Sequence, residues 1–284
     1  MTAVGSGSRQ SLVFYDSDQR RPPLVDEAVH LWQYRGLLQL LIVRDLTLRY
    51  KRSLLGVWWT LLNPLLTTAV MWVVFSAIFR FEIPGGVPYV LYLTSGVLLI
   101  NFFAQGINTV GQSLVASSAV ISKVYVPPEV FAVSAAAAAG SNFVISLVPL
   151  FLVALLTGWG VPLTAPLVVL PALALLMLVT GLGLLVATAA IRFADTLDLA
   201  ALGVVLLGYL TPTFYPISIV PEAYRTAFQF NPLYSYLVVF RDVGYGGSAA
   251  PWWAWVVMGT TSLGALAVGT YVFSRRWRSL AAML

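Results

Sequence analysis

Four amides share one helical face near the middle of the chain. Asn101, Gln105, Asn108 and Gln112 recur at i, i+4, i+7 and i+11, the spacing that stacks side chains along one side of a helix. Thr94 lies at a compatible position on that face and Thr109 beside it. An amide both donates and accepts hydrogen bonds, so such a stripe has two uses. It can glue helices together inside a membrane, at about 0.6 kcal/mol per bond, or it can line a passage for a hydroxyl-rich, uncharged substrate. A second cluster is charged. Arg44, Asp45, Arg49, Lys51 and Arg52 crowd around Tyr50, and Ser53-Leu54-Leu55-Gly56 then leads to Trp58 and Trp59 at the door of an apolar run. Basic residues followed by tryptophans mark a segment that enters a membrane from the cytoplasm. Such a segment is a topogenic flank, and it is also placed to receive force from a cytoplasmic partner.

Other chemistry is missing. The sequence has no G-x-x-x-x-G-K-[ST] loop, no cysteine, and one histidine, His30. That excludes nucleotide binding through a P-loop, thiol chemistry, and any metal site built on the usual His/Cys spacings. Within the apolar runs no ionisable side chain sits near mid-membrane, where ion-coupled transporters need one. No cofactor is therefore expected on this chain. If it moves something, the energy comes from another subunit.

The elements that must position these residues cross a membrane. Of 284 residues, 59% are hydrophobic and 10% charged, against roughly 25% charged in a soluble domain. Residues 1–27 are polar and prolyl, without the apolar core of a secretory leader, and are expected to form a flexible cytoplasmic tail ahead of a transmembrane domain over 28–284. From Glu27 to Tyr50 apolar and charged residues mix on a helical pattern too polar to cross, which predicts an amphipathic helix in the interface. Six spans are predicted: Trp58–Phe79, Val87–Gln112, Val130–Leu156, Pro166–Ile191, Leu197–Tyr215 and Trp252–Ser274. An even number puts both ends on one side. Thirteen of the sixteen basic residues fall on the side of the termini, while Arg80, Arg225 and Arg241 fall on the other. By the positive-inside rule both termini are cytoplasmic.

Two connections are too apolar for solvated loops. Ile217–Pro251 holds two short helical pieces, about Pro221–Phe230 and Leu233–Val243, split by Asn231-Pro232. Neither is long enough to span, which predicts a re-entrant outer cap packed on protein. Between the second and third spans, S-S-A-V-I-S-K-V-Y-V-P-P-E-V surrounds a single lysine, Lys123, and ends at Pro127-Pro128, where a new helix starts with Glu129 in its first turn. A docked short helix is expected there. Small residues from Ser134 to Ser141, and Gly181 with Gly183, mark close helix packing. Aromatic residues from Phe214 to Trp255 form an outer belt, some of which can offer ring faces to sugars.

The stretch R-D-L-T-L-R-Y-K-R-S-L-L-G-V-W-W-T-L-L-N-P resembles the signature of ABC-2 permease subunits, and most of all the polysaccharide branch that exports O-antigen, teichoic acid and mycobacterial galactan. I-S-K-V-Y-V-P, R-F-A-D, T-P-T-F-Y-P and N-P-L-Y-S-Y-L-V-V-F-R-D support it in order and spacing, over about Leu31 to Ser279. R-F-A-D departs from the adjacent Arg-Asp of many relatives, so Arg192 and Asp195 are assigned no role. The resemblance implies an all-α homodimer in the bacterial cytoplasmic membrane, with two ABC ATPase subunits that carry ATP and Mg. It implies a polyprenyl-diphosphate-linked glycan as substrate and no nucleic acid. Arg44, Asp45, Arg49, Tyr50, Lys51, Ser53, Leu55 and Gly56, with Lys123, Val124 and Pro127 of the inner loop, would face the ATPase. Asn101, Gln105, Asn108 and Gln112 would line the channel. Pro212, Tyr215, Asn231, Pro232, Tyr234 and Arg241 would form the outer gate. Two alternatives stay open: an ABC-2 permease for a small drug or lipid, and a membrane-embedded transferase, for which Asp195 and Asp198 are the nearest acid pair.

Overall fold

The computed structural model describes residues 32–51, 53–78, 81, 83–121, 123, 126–247 and 249–280, with backbone alone at 77–78 and 277–280. The N-terminal tail, His30 and Val124 lie outside the described residues. Within them all regular structure is helical.

The amphipathic helix is α1 (Arg35–Tyr50). Its Leu41 is buried with Val130 and Phe131, and Tyr34, Leu37, Leu38, Ile121 and Val126 close around them. One face of α1 is thus pinned to the third long helix and to the inner loop before it. That loop holds a single helical turn, Ser118–Ile121, as its apolar composition predicts.

Five helices are long and apolar enough to cross a membrane. They are α2 (Trp58–Ile78), α3 (Tyr89–Ala116), α4 (Glu129–Leu156), α5 (Val169–Ala190) and α9 (Trp252–Leu280). The 28 residues of α3 rise about 42 Å at 1.5 Å per residue, more than the hydrocarbon core demands. It is also the axle of the fold, with 72% of its most apolar window buried, against 11% for α2. Helices α4, α5 and α6 (Thr196–Tyr209) pack round α3, and Phe102 stacks on Phe143 of α4 at 4.4 Å. Small residues do the work expected of them. A Cβ on Gly269 of α9 would lie 2.2 Å from the carbonyl oxygen of Gly181 in α5, so these two backbones touch and no side chain fits between them. Ser134, Ala135, Ala136, Ala138 and Ala139 are buried on α4.

Helix α3 runs on to Ala116 rather than Gln112 and α9 to Leu280 rather than Ser274, and the fifth span is cut short. Helix α6 (Thr196–Tyr209) has 14 residues, about 21 Å, and stops six residues before Tyr215. Pro212 is the cause: it lacks an N–H and bars the helical conformation at Thr211 before it. The chain runs on to Pro216 without helix, and Thr211, Pro212 and Thr213 are buried there. The spans that length and composition establish are therefore five, with α6 and its unwound end in the sixth place.

The connection to α9 folds as a cap. It comprises α7 (Glu222–Gln229), α8 (Pro232–Arg241) and a π-helical turn, Asp242–Gly246. Asn231 caps α8 by accepting a hydrogen bond from the Leu233 N–H at 3.0 Å, with Pro232 in the first helical position. Leu233, Tyr236, Leu237, Val239 and Phe240 of α8 are fully buried, as expected of a re-entrant piece packed on protein.

Candidate functional site

A cavity of about 220 Å³ lies between the end of α1 and the flanks of α2, α3 and α4. Both sequence clusters meet there. Arg49 donates through Nη2 to Oε1 of Gln105 on α3. Next to it, the Tyr50 hydroxyl donates to Oδ1 of Asn142 on α4 at 2.5 Å. A phenol has one proton, so the Thr60 hydroxyl of α2, also at 2.5 Å, donates back to Tyr50. The last two residues of α1 are thus tied to three spans.

The opposite ends of these amides have no such ties. Among the described residues nothing in the protein bonds the side-chain nitrogens of Gln105 and Asn142, or either end of Asn101, and all three line the cavity. Asn63 shares the wall, its oxygen accepting from Thr67 at 3.4 Å. Arg49 has no acidic partner: the ion pairs among the described residues are Arg44–Asp45 and Arg225–Glu222. Phe102, Phe143 and Trp59 add aromatic surface. The site thus offers amide groups, one cation and ring faces, the set that recognises a polyhydroxylated ligand. Asn108 and Gln112 continue the stripe along α3 beyond the cavity wall, Gln112 exposed.

The other residues expected at the cytoplasmic side are arranged as a turn and a loop. Arg44 and Asp45 pair with each other at 2.8 Å on the exposed face, an interaction worth at most about 1 kcal/mol. Lys51 and Lys123 are exposed, and Pro127 is half-buried. Ser53 Oγ accepts from the Gly56 N–H at 3.1 Å, and Gly56 takes φ +49°, which a side chain would strain. This tight turn leaves Leu54 and Leu55 exposed at its tip.

At the far end of α3 the expected gate residues converge on Arg241, which is 9% exposed. Its guanidinium donates to the carbonyls of Tyr92 (3.0 Å), Pro212 (3.1 Å) and Thr213 (3.2 Å) and to Ser95 Oγ (3.1 Å). It also sits 3.5 Å over the Tyr92 ring. The Tyr92 hydroxyl in turn shares its one proton between the carbonyls of Tyr215 (2.8 Å) and Pro212 (3.0 Å). Asn231 Nδ2 donates to Thr211 Oγ1 at 2.9 Å, and Tyr234 lies 6.0 Å from Trp253. Within the π turn, burial pushes the Asp242 carboxyl up, while Arg241 beside it draws it down. A second cavity of about 220 Å³ opens here, with walls largely apolar and aromatic.

Some residues were not singled out by sequence pattern. Asn142 and Ser146 stand at i, i+4 just past the small-residue run of α4, and Thr60 and Asn63 at i, i+3 in α2. Their spacing was available, but isolated pairs in apolar helices say nothing about what they face. Asp195 and Asp198 are exposed and line neither cavity. Arg192 lies 5.5 Å over the Phe193 ring and makes no ion pair with Asp195.

A long central helix, a re-entrant cap and a membrane-entering turn beside an amide-lined cavity define a permease. Residues 36–245 match the ABC-2 type transporter family, and the chain belongs to that family. It is similar to the O-antigen export system permease protein RfbA of Myxococcus xanthus, 32% identical over 219 residues, which cover 76% of this chain and 82% of that one. A protein of the same name from Klebsiella pneumoniae is 27% identical over 223 residues, 75% of this chain and 82% of its own.

Proposed function

We propose that the chain is the membrane subunit of an ATP-driven exporter that moves a polyprenyl-diphosphate-linked polysaccharide across the bacterial cytoplasmic membrane. The observation that carries this is the inner cavity, where unpaired amides suited to sugar hydroxyls adjoin the segment that a cytoplasmic partner can reach. The relatives export O-antigen by name, which supports a glycan over a small drug. ATP and Mg belong to a partner ATPase, present in two copies around a homodimer of this chain. The sparse burial of α2 supports the dimer, since an uncovered span is free to take a second copy. The charge census supports cytoplasmic termini, with the turn at Ser53–Gly56 and the loop at Lys123–Pro127 facing the ATPase and the cap around Arg241 facing outward.

Depletion of the chain tests the substrate: a lipid-linked glycan should accumulate in the cytoplasmic leaflet and be identified by mass spectrometry, and no accumulation would sink the proposal. Replacing Gln105 and Asn108 together by Leu should lower export about tenfold or more, a loss of at least ~1.4 kcal/mol in transport, while the complex with the ATPase still purifies intact. Normal export by that variant would remove the amide stripe from the pathway.

A further inference from the structure

We propose that the inner cavity is a sugar-sensing site, in which one ring of the glycan is detected by Arg49 and Tyr50 and reported to the cytoplasmic turn. The proposal rests on the export function above and adds how loading is communicated. Gln105 and Asn142 each face two ways. Their oxygens hold Arg49 and Tyr50, while their nitrogens meet the cavity with no protein partner among the described residues. At about 220 Å³ the space suits a single sugar ring rather than a lipid or a long oligosaccharide. A sugar hydroxyl donates as well as accepts. Its donor end therefore competes for the oxygens that Arg49 and Tyr50 now occupy, and its acceptor end takes the open nitrogens. Each exchange replaces one hydrogen bond by another, so loading is reversible.

The consequence travels a short way. Arg49 and Tyr50 end α1, and the Ser53 N–H bonds the Tyr50 carbonyl at 3.2 Å, so releasing either side chain frees the turn that presents Leu54 and Leu55. The other end of α1 cannot follow, because Leu41 is buried against Val130 and Phe131. An empty cavity thus holds the turn against α2, α3 and α4, and an occupied one lets it go. Tyr50 is a positioning residue: it acts on the partner through the turn.

The test uses the purified complex of this chain with its ATPase in nanodiscs, and glycolipid extracted from exporter-depleted cells as probe. The glycolipid should change the wild-type ATPase rate about fivefold or more, the lower range of ordinary coupling between sites. In Tyr50→Phe the rate should be the same with and without it, because the bonds to Asn142 and Thr60 no longer exist to be exchanged. Equal responses of wild type and Tyr50→Phe overturn the proposal. A second measurement does not depend on that variant. The chain has no cysteine, so a dye on Leu54→Cys should report glycolipid binding in an otherwise native complex. Depletion that accumulates a glycolipid with no effect on hydrolysis or on the dye overturns the sensor alone and leaves the export function standing. No accumulation overturns both.

Discussion

The amide-lined cavity and the cap use polar side chains in opposite ways. In the cap the hydrogen bonds close on the protein itself. Arg241 is held by three carbonyls and a hydroxyl, and Asn231 uses both ends of its amide. Thr213 Oγ1 is an exception, buried without a partner. In the cavity, Asn101, Gln105 and Asn142 keep donors directed at open space. A buried polar group left without a partner costs about 1–3 kcal/mol, so the first arrangement holds a structure shut. The second stands open to water or a ligand, with Gln105 exposed and Asn101 half-buried. The closed bonds gather near the start of α3, at Tyr92 and Ser95, and the open amides around its middle, at Asn101 and Gln105.

That division can be broken in order of expected effect. Arg241→Met removes four hydrogen bonds and leaves the buried Thr213 carbonyl without its donor, while Pro212 keeps Tyr92, and should cost about 2–3 kcal/mol, read as a lower unfolding temperature of the purified complex. An unchanged temperature would mean the cap is not locked by this residue. Asn231→Ala removes the cap of α8 and the bond to Thr211 and should cost about 1–2 kcal/mol; a loss within error would move the burden to Pro232. Arg44→Ala, which breaks an exposed pair, should change stability by no more than about 0.5 kcal/mol, and a large loss would expose a contact beyond Asp45. The amide variants Gln105→Leu with Asn108→Leu should do the reverse of Arg241→Met, sparing stability and lowering export.

Much of this was legible in the sequence, because membrane insertion makes hydropathy a strong signal. The bounds of α4 and the start of α9 follow it closely, and the split at Asn231-Pro232 announces the two pieces of the cap. The end of α6 was carried in the sequence too, by Pro212, but an apolar run outweighs one proline when only length and composition are weighed. The site was half legible. Period 3.6 put Asn101 and Gln105 on one face, and charge density marked Arg49 and Tyr50. That these clusters share a cavity depends on how α1 crosses α4, which is set by Leu41, Val130 and Phe131, far apart in sequence. Residue pattern alone made Arg241 one of three arginines outside the basic side, and only the family resemblance put it among the gate residues. Its burial depends on carbonyls freed by the unwound chain around Pro212, and no pattern of residue types shows a carbonyl.

The choice of carbonyls as partners for Arg241 bears on the surroundings in which the cap must hold. A latch of arginine on carboxylate weakens when acid protonates the carboxylate. A peptide carbonyl has no proton to gain in that way. Asp242, the acid beside Arg241, holds none of these bonds. A change of pH alone should therefore leave these four bonds in place.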